Sequence, residues 1–424
     1  MKKGIYRSVE IKDVQLEWLS QQLPLAKAAF GVDVAKVEFK GAFLKDSGEL
    51  AQSIRWKSPV DVSALIGLLS ELGGPGRIEV ALEPSGTYGD CLVARLRAED
   101  YAVYRVSPKH THDAAELFDG VPSKHDVKDA AIIARLHQLG RSHRWEEETE
   151  QQRDLGAAME ILDVHQQQLM RNVGRLEAKL ARHWPELPKI LELDSATLLA
   201  LLKEFGGPDQ VAAKPVEAEK MMAQVGGRFL AKSKRQQLID AARTTIGVKM
   251  TSGERRTLSE LAREANHNRQ EVKAAEAVVE GLVKDNPRVQ RMATVIGKVT
   301  AASLEVGLGS AEDYENSAAY VKAAGLNLKE RSSGTHKGQL KITKRGPSLV
   351  RRNLFLAALR LIQREPLFKA WHAAKVARMG GKDKMKSVVA LMRKLLGALW
   401  HVSRGSEFDA GKLFDVRMLA DTPS

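Results

Sequence analysis

Residues 30–36 read FGVDVAK, a run of small and β-branched residues around one carboxylate, Asp33. Such a run has the texture of a buried strand, and burying an acid without a partner is costly or forces it neutral. A metal ion is the usual remedy. Three further acids suit the same purpose. Glu83 in EVALEPSGTY closes a second apolar run, and Asp126 and Asp129 in KHDVKDA fall at i and i+3, on one face of an expected helix. Four converging carboxylates would hold two hard divalent cations through oxygen ligands, the arrangement that serves in-line displacement at phosphorus. Singly, each acid is a weak signal, because an Asp-x-x-Asp pair on a helix is ordinarily solvated charge. What carries weight is the order: strand Asp, strand-end Glu, helical Asp pair.

The flanking pattern says what kind of sheet would hold them. VEFKGAFL (37–44) alternates like an antiparallel neighbour, and a weaker third strand is expected over Leu50 to Lys57. Asp61 is expected to cap the helix VSALIGLLSELG (62–73), with GGPG at 73–76 ending it. RIEVAL (77–82) reads as a fourth strand delivering Glu83 at its carboxyl end, and the helix DCLVARLRAED (90–100) and strand YAVYRVSP (101–108) follow. Three strands, helix, strand, helix, strand and then helices is an order that resembles the ribonuclease-H-like fold. In open α/β sheets the site lies off the carboxyl ends of the strands. His110, His112 and His125 match no common zinc spacing and are read as surface or phosphate-contacting residues. Residues 1–25 read as a polar lead-in with a short helix around Val14 to Leu19.

Composition supports a folded protein with a polyanionic partner. The 424 residues are 43% hydrophobic and 28% charged, enough for two or three domains with buried cores. The net charge is +13. Between residues 320 and 404, twenty Lys or Arg face three acids, a surplus larger than that of the whole chain, so the remainder is net acidic. So lopsided a block favours nucleic acid over a merely solvated basic face. Cys91 is the single cysteine, which excludes an internal disulfide and a cysteine zinc cluster. No run approaches a membrane span and the MKK start leads into charges, so neither an export signal nor a membrane helix is expected, and the protein is expected in the cytoplasm.

A different texture begins near Glu147. Leu155, Met159, Leu162, Gln166, Leu169, Val173, Leu176 and Leu180 recur at alternating steps of four and three. Leu258, Leu261, Ala265, Asn268, Val272, Ala275, Val279 and Leu282 repeat the pattern. Both have the spacing of coiled-coil seams, each with a single amide, and each extended arm would span about 40 Å; the alternative is an ordinary amphipathic helix packed on its own domain. They would pair as an antiparallel hairpin or with a second copy; the heptads do not decide. Between them, 185–255 carries short helical patterns with no assignable function. Beyond Pro287, RMATVIGKVTAASLEVGLG has the form of two helices about a Gly turn, a sequence-independent grip on phosphates. Then comes AAGLNLKERSSGTHKGQLKITKRGPSLVRRNLFLAALRLI, with Ser332 and Ser333 before Gly334 and the cations Lys337, Lys341, Lys344, Arg345, Arg351 and Arg352. A serine hydroxyl in such a field, beside a Gly that admits a phosphodiester backbone, has the means to attack phosphorus if a base or metal activates it. Taken alone, Ser-Gly in a polar loop is only a turn.

GVDVAK, EPSGTY, KHDVKDA, AGLNLKERSSG, ITKRG and VRRNLFLAA, in this order, resemble the signature blocks of the IS110 and IS1111 family of insertion-sequence transposases. The resemblance covers roughly residues 29–145 and 290–402. It implies an α/β RNase H-like (RuvC-like) N-terminal domain whose four acids fall on Asp33, Glu83, Asp126 and Asp129, holding Mg²⁺ or Mn²⁺. It further implies a long helical coiled-coil region and a mostly α-helical C-terminal transposase domain, whose nucleophilic serine before Gly falls on Ser333, with Ser332 its neighbour. The expected boundaries are 1–147, 148–290 with the helical insert 185–255, and 291–424. The resemblance also implies a DNA recombinase guided by a noncoding bridge RNA and assembled as a dimer or tetramer. Two other readings stand beside it: a RuvC-like metal-dependent nuclease using water, and a non-catalytic nucleic-acid-binding scaffold.

Overall fold

The computed structural model describes residues 7–84, 86–116, 125–330, 338 and 340–414. The chain divides into two compact units, Met1–Glu147 and Glu148–Ser424.

The first unit is built on a mixed sheet of β1 (Val9–Glu10), β2 (Ala28–Asp33), β3 (Glu38–Leu44), β4 (Leu50–Lys57), β5 (Ile78–Leu82), β6 (Val103–Val106) and β7 (Ser142–Arg144), in the order β1-β4-β3-β2-β5-β6-β7. Its helices are α1 (Leu16–Gln22), α2 (Val62–Glu71), the single turn α3 (Gly74–Arg77), α4 (Asp90–Ala98), α5 (Pro108–Asp113) and α6 (Asp126–Gln138). Strands β2, β3 and β4 are antiparallel, as short connections permit, while β5 and β6 join parallel to β2 after helical crossovers. This is the expected RNase H-like order, with β1 and β7 as short added edges that the sequence did not announce.

Two glycines let the central strands pack on both faces. On one face Phe30 stacks on Phe43 with ring centroids 4.3 Å apart, and its ring occupies the space above Gly41, where a Cβ would come within 2.3 Å of it. On the other face α6 crosses β2 so closely that a Cβ on Gly31 would lie 2.2 Å from the Ala130 carbonyl oxygen. Three local expectations change. Asp33 is the last residue of β2 and half-buried, not the middle of a buried strand. Asp61 makes no cap bond to α2; its carboxylate accepts from the Lys57 backbone N–H at 2.9 Å, closing the preceding turn instead. GGPG does not simply stop a helix but contributes to the turn α3.

The second unit is helical: α7 (Glu150–His183), α8 (Ala196–Phe205), α9 (Pro208–Ala213), α10 (Pro215–Gly226), α11 (Lys232–Thr244), α12 (Ser252–Leu282), α13 (Pro287–Ile296), α14 (Lys298–Leu308), α15 (Ser317–Ala323), α16 (Ser348–Arg364), α17 (Pro366–Arg378) and α18 (Lys384–Ser403), with one hairpin of β8 (Leu328–Lys329) and β9 (Lys341–Ile342). The long helices α7 and α12 each open with a capping box, Thr149 with Gln152 and Thr251 with Glu254. They pair with each other, antiparallel: Leu155, Met159 and Leu162 share a core with Ala275 and Val279, while Leu176 and Leu180 share one with Leu258, Ala262 and Ala265. The seam amides are used within the chain. Asn268, buried, lies 3.4 Å from His165 Nδ1, and Gln166 accepts from Arg352 at 3.4 Å. At the seam's end Leu282 is exposed and Val283 is buried in its place.

Both ends of the pair are packed. The insert helices α8, α10 and α11 place Leu198, Leu202, Met222 and Leu238 in the core with Leu176 and Leu180, so the insert is the cap of the helix pair. At the other end α13 to α18 enclose Leu155 and Met159 in the larger core. Trp371 belongs to that core and Trp400 flanks it, donating from Nε1 to the Ala311 carbonyl at 2.8 Å. Among the described residues no helix is long and apolar enough to cross a membrane.

Candidate functional site

The register of two strands sets the first half of the site. β2 and β5 are parallel neighbours with Val32 opposite Leu82, so Asp33 and Glu83, one residue further on, leave the sheet side by side at its carboxyl end. Both are half-buried. Glu83 accepts a hydrogen bond from the hydroxyl of Thr111, a buried residue on α5. The second half comes from α6, which begins at Asp126 and carries Asp129 in its first turn. Gly31 fixes where α6 crosses: the strand residue two before Asp33 meets the helix residue one after Asp129. Asp129 is half-buried and Asp126 exposed.

The four positions are thus gathered at one end of one sheet. Their side chains do not form a ready-made ligand set, since among the described residues no three His, Cys, Asp or Glu stand as a group able to share an ion. As donors they are all carboxylate oxygens, the chemistry of a hard divalent cation. His110, His112 and His125 are exposed, in keeping with a surface role. Sequence reasoning passed over Lys128, between the two aspartates, which is 1% exposed and engaged in an interaction. A signal was available: its i+3 and i+4 neighbours, Ala131 and Ile132, lie on the buried face of α6.

In the second unit, two of the quoted blocks come together. The β8–β9 hairpin pairs Leu328 with Ile342, and beyond it Thr343 N–H donates to Asn327 O and Lys344 N–H to Gly325 O, both at 2.9 Å. The contact is tight: a Cβ on Gly325 would meet Arg345 N at 2.5 Å, and one on Gly346 would meet the Ala323 carbonyl at 2.2 Å. Lys344 takes a left-handed φ of 56°, a strained conformation for a non-glycine residue and one that clusters at functional sites. Ser332, Ser333 and Lys337, in the segment joining the two strands, lie outside the described residues.

The expected phosphate-binding cations divide in two. Lys341, Lys344 and Arg345 are exposed. Arg351 and Arg352 have protein partners instead. Arg351 Nη1 donates to the carbonyls of Ala324 at 3.2 Å and Gly346 at 2.5 Å, and burial pulls its pKa below the ordinary value. Arg352 pairs with Asp163 and Gln166 of α7. The expected helix–Gly–helix is present as α13, Gly297 with φ of 81°, and α14.

Comparisons with known proteins bear on both units. A DEDD-type IS110 transposase model matches residues 30–185, and a model described as Transposase IS116/IS110/IS902 family matches residues 290–373, together more than half of the chain. The chain is 25% identical over 393 residues to the insertion element IS110 uncharacterized 43.6 kDa protein of Streptomyces coelicolor, covering 89% of this chain and 94% of that one. It is also 22% identical over 180 residues to the pilin gene-inverting protein of Moraxella bovis, covering 40% of this chain and 55% of the relative. With a DEDD match over the unit that bears the acids, an IS110-family match over the ITKRG hairpin, and a relative aligned along nearly its whole length, the chain belongs to the IS110 family of transposases.

Proposed function

We propose that the protein cuts and rejoins DNA strands through a serine–phosphate link, with Ser333 as the nucleophile and Asp33, Glu83, Asp126 and Asp129 as ligands of a divalent cation, Mg²⁺ or Mn²⁺. The observation that carries the reading is the placement of Asp33 and Glu83 on adjacent strand ends, with the Asp126–Asp129 turn of α6 held beside them through Gly31. Such a cation, when bound, neutralises charge at a scissile phosphate. Ser333 Oγ bonds to phosphorus as the bridging sugar oxygen leaves, and the proton lost from Oγ is balanced by one taken up on that oxygen, which departs as a hydroxyl. The ester keeps the phosphodiester's energy, and a hydroxyl of the incoming strand reverses the step and frees the serine, so no nucleoside triphosphate enters the balance.

Lys341, Lys344 and Arg345, exposed beside the hairpin, suit phosphate contacts along the strand, with Lys337 in the same segment. The similarity to a pilin gene-inverting protein favours rejoining over simple cleavage. More than 200 residues separate Asp129 from Ser333. Folding of one chain or assembly of several must therefore bring the two together; the reading includes a dimer or tetramer, and a noncoding bridge RNA that selects the DNA partners. It works on DNA in the cytoplasm.

The test is excision and joining of a marked element in cells. Asp33→Asn and Ser333→Ala are each expected to abolish joined product. Cutting retained by Ser333→Ala without joining would favour the water-using nuclease, and full activity of Asp33→Asn would favour the scaffold. RNA extracted from the purified protein and sequenced is expected to be one short structured species encoded beside the gene.

A further inference from the structure

A cleft of about 670 Å³ lies between the β8–β9 hairpin and helices α17 and α18. Its volume is within the range of sites that enclose a small organic ligand, about 300–1,000 Å³. Six cations line it, Lys329, Lys341, Lys344, Lys375, Lys386 and Arg393, and among the described residues no carboxylate does; Lys386 is paired with Asp383 at 2.7 Å. Its remaining lining is largely apolar: Leu328, Leu340, Met379, Met385 and Val389. Leu328, Leu340 and Met385 are 42%, 56% and 59% exposed, so apolar side chains stand open to water inside a ring of positive charge.

Two further details mark the cleft as prepared for a ligand. Arg393 Nε is shielded from solvent with no hydrogen-bond partner among the described residues, an expensive state for a charged donor. Lys344 contributes to the rim from its strained left-handed backbone, held there by its bond to Gly325.

We propose that this cleft receives one unstacked nucleotide of the DNA strand that the serine-bearing segment handles, the base resting on Met379, Met385 and Val389 and the flanking phosphates on the lysine rim. Phosphate alone explains the cations but not the open apolar floor. A stacked duplex presents no base face to such a floor, whereas an unstacked base does, and base contact with apolar side chains tolerates any sequence. β8 and β9 lead directly into and out of the segment that carries Ser332 and Ser333. The inference rests on the reading that the protein acts on DNA and adds where one base goes when it does.

The full-length protein is titrated with single-stranded DNA carrying 2-aminopurine at successive positions, with the same strands abasic at each position, and with RNA of the same sequence. Fluorescence of one position is expected to change on binding, and an abasic residue there to weaken binding about tenfold. Met385→Gln, a neutral change at an exposed site, is expected to abolish the fluorescence change and to weaken binding of the intact strand about tenfold while leaving the abasic strand unaffected. Equal weakening of both strands would show that the effect does not involve the base and overturn the proposal. DNA that binds with no responsive position would overturn the cleft assignment alone, whereas no DNA binding would also sink the wider reading. RNA bound more tightly than DNA with the same responsive position would reassign the cleft to RNA.

Discussion

The acidic end of the sheet and the basic hairpin are positioned by different means. Asp33 and Glu83 sit where strand register puts them, and Asp129 sits where a glycine lets a helix touch a strand. Every one of those devices is periodic or steric and is written in neighbouring residues. The hairpin instead hangs on two backbone bonds, two glycine contacts and one strained lysine. The cations around it look alike in sequence, yet some face solvent and others are consumed in holding the turn. A regular element displays a functional group; an irregular one needs part of its chemistry to hold its own shape.

The sharpest break of this comparison is at the acids. Asp33→Asn or Glu83→Gln is expected to lower strand joining by at least about a hundredfold, the scale of losing one electrostatic group in an active site, with thermal unfolding almost unchanged. Both are half-buried residues at strand ends and support little of the core. Next is the steric device beneath them. Gly31→Val puts a side chain where a Cβ alone would lie 2.2 Å from the Ala130 carbonyl, and is expected to cost about 3 kcal/mol in urea unfolding, with activity lost through displacement of α6.

On the basic side, a matched pair separates support from contact. Arg351→Ala leaves the carbonyls of Ala324 and Gly346 without their donor and is expected to destabilise the protein by about 1–3 kcal/mol. Arg345→Ala is expected to leave stability unchanged while weakening DNA binding and reducing the slope of log affinity against log salt by about 1. If both variants behaved alike, the division of the cations would be wrong.

The smallest effect lies at the far end of β5. His137 is half-buried, with Nδ1 2.7 Å from Ser142 Oγ and Nε2 3.2 Å from Glu79 Oε2, and desolvation lowers its pKa below 6.5 despite the nearby Glu79. The folded state therefore refuses a proton that the unfolded chain accepts. Its contribution is fully present above the ordinary value of 6.5 and is lost as pH falls from there toward the folded pKa. Urea unfolding from pH 7.5 to 5 is expected to show a decline in stability that His137→Gln makes shallower.

Most of the sheet was legible because apolar alternation marks β2 to β6 and a capping or breaking residue separates them. The short edges β1 and β7, two and three residues long, are too brief to show a period. The heptads of α7 and α12 gave the helices but not their partner, since a seam has the same spacing whether it meets its own chain or a copy. Core sharing within the chain decides it. Asp33, Glu83, Asp126 and Asp129 were legible as types in order, and the glycine that brings strand and helix together was within the quoted stretch without its role being apparent. The fate of Arg351 was not readable at all, because its acceptors are carbonyls of Ala324 and Gly346, and a backbone acceptor has no letter in the sequence.

The central claim is that the carboxylates of the first unit and a hydroxyl of the second act in one reaction. Its most direct measurement is a denaturing trap of the protein with a radiolabelled DNA substrate in Mg²⁺, followed by peptide mapping. A DNA-linked peptide containing Ser333 is predicted for the wild type, and none for Asp33→Asn or for Ser333→Ala. Cleaved DNA with no linked peptide, and cleavage undiminished in Ser333→Ala, would contradict the account.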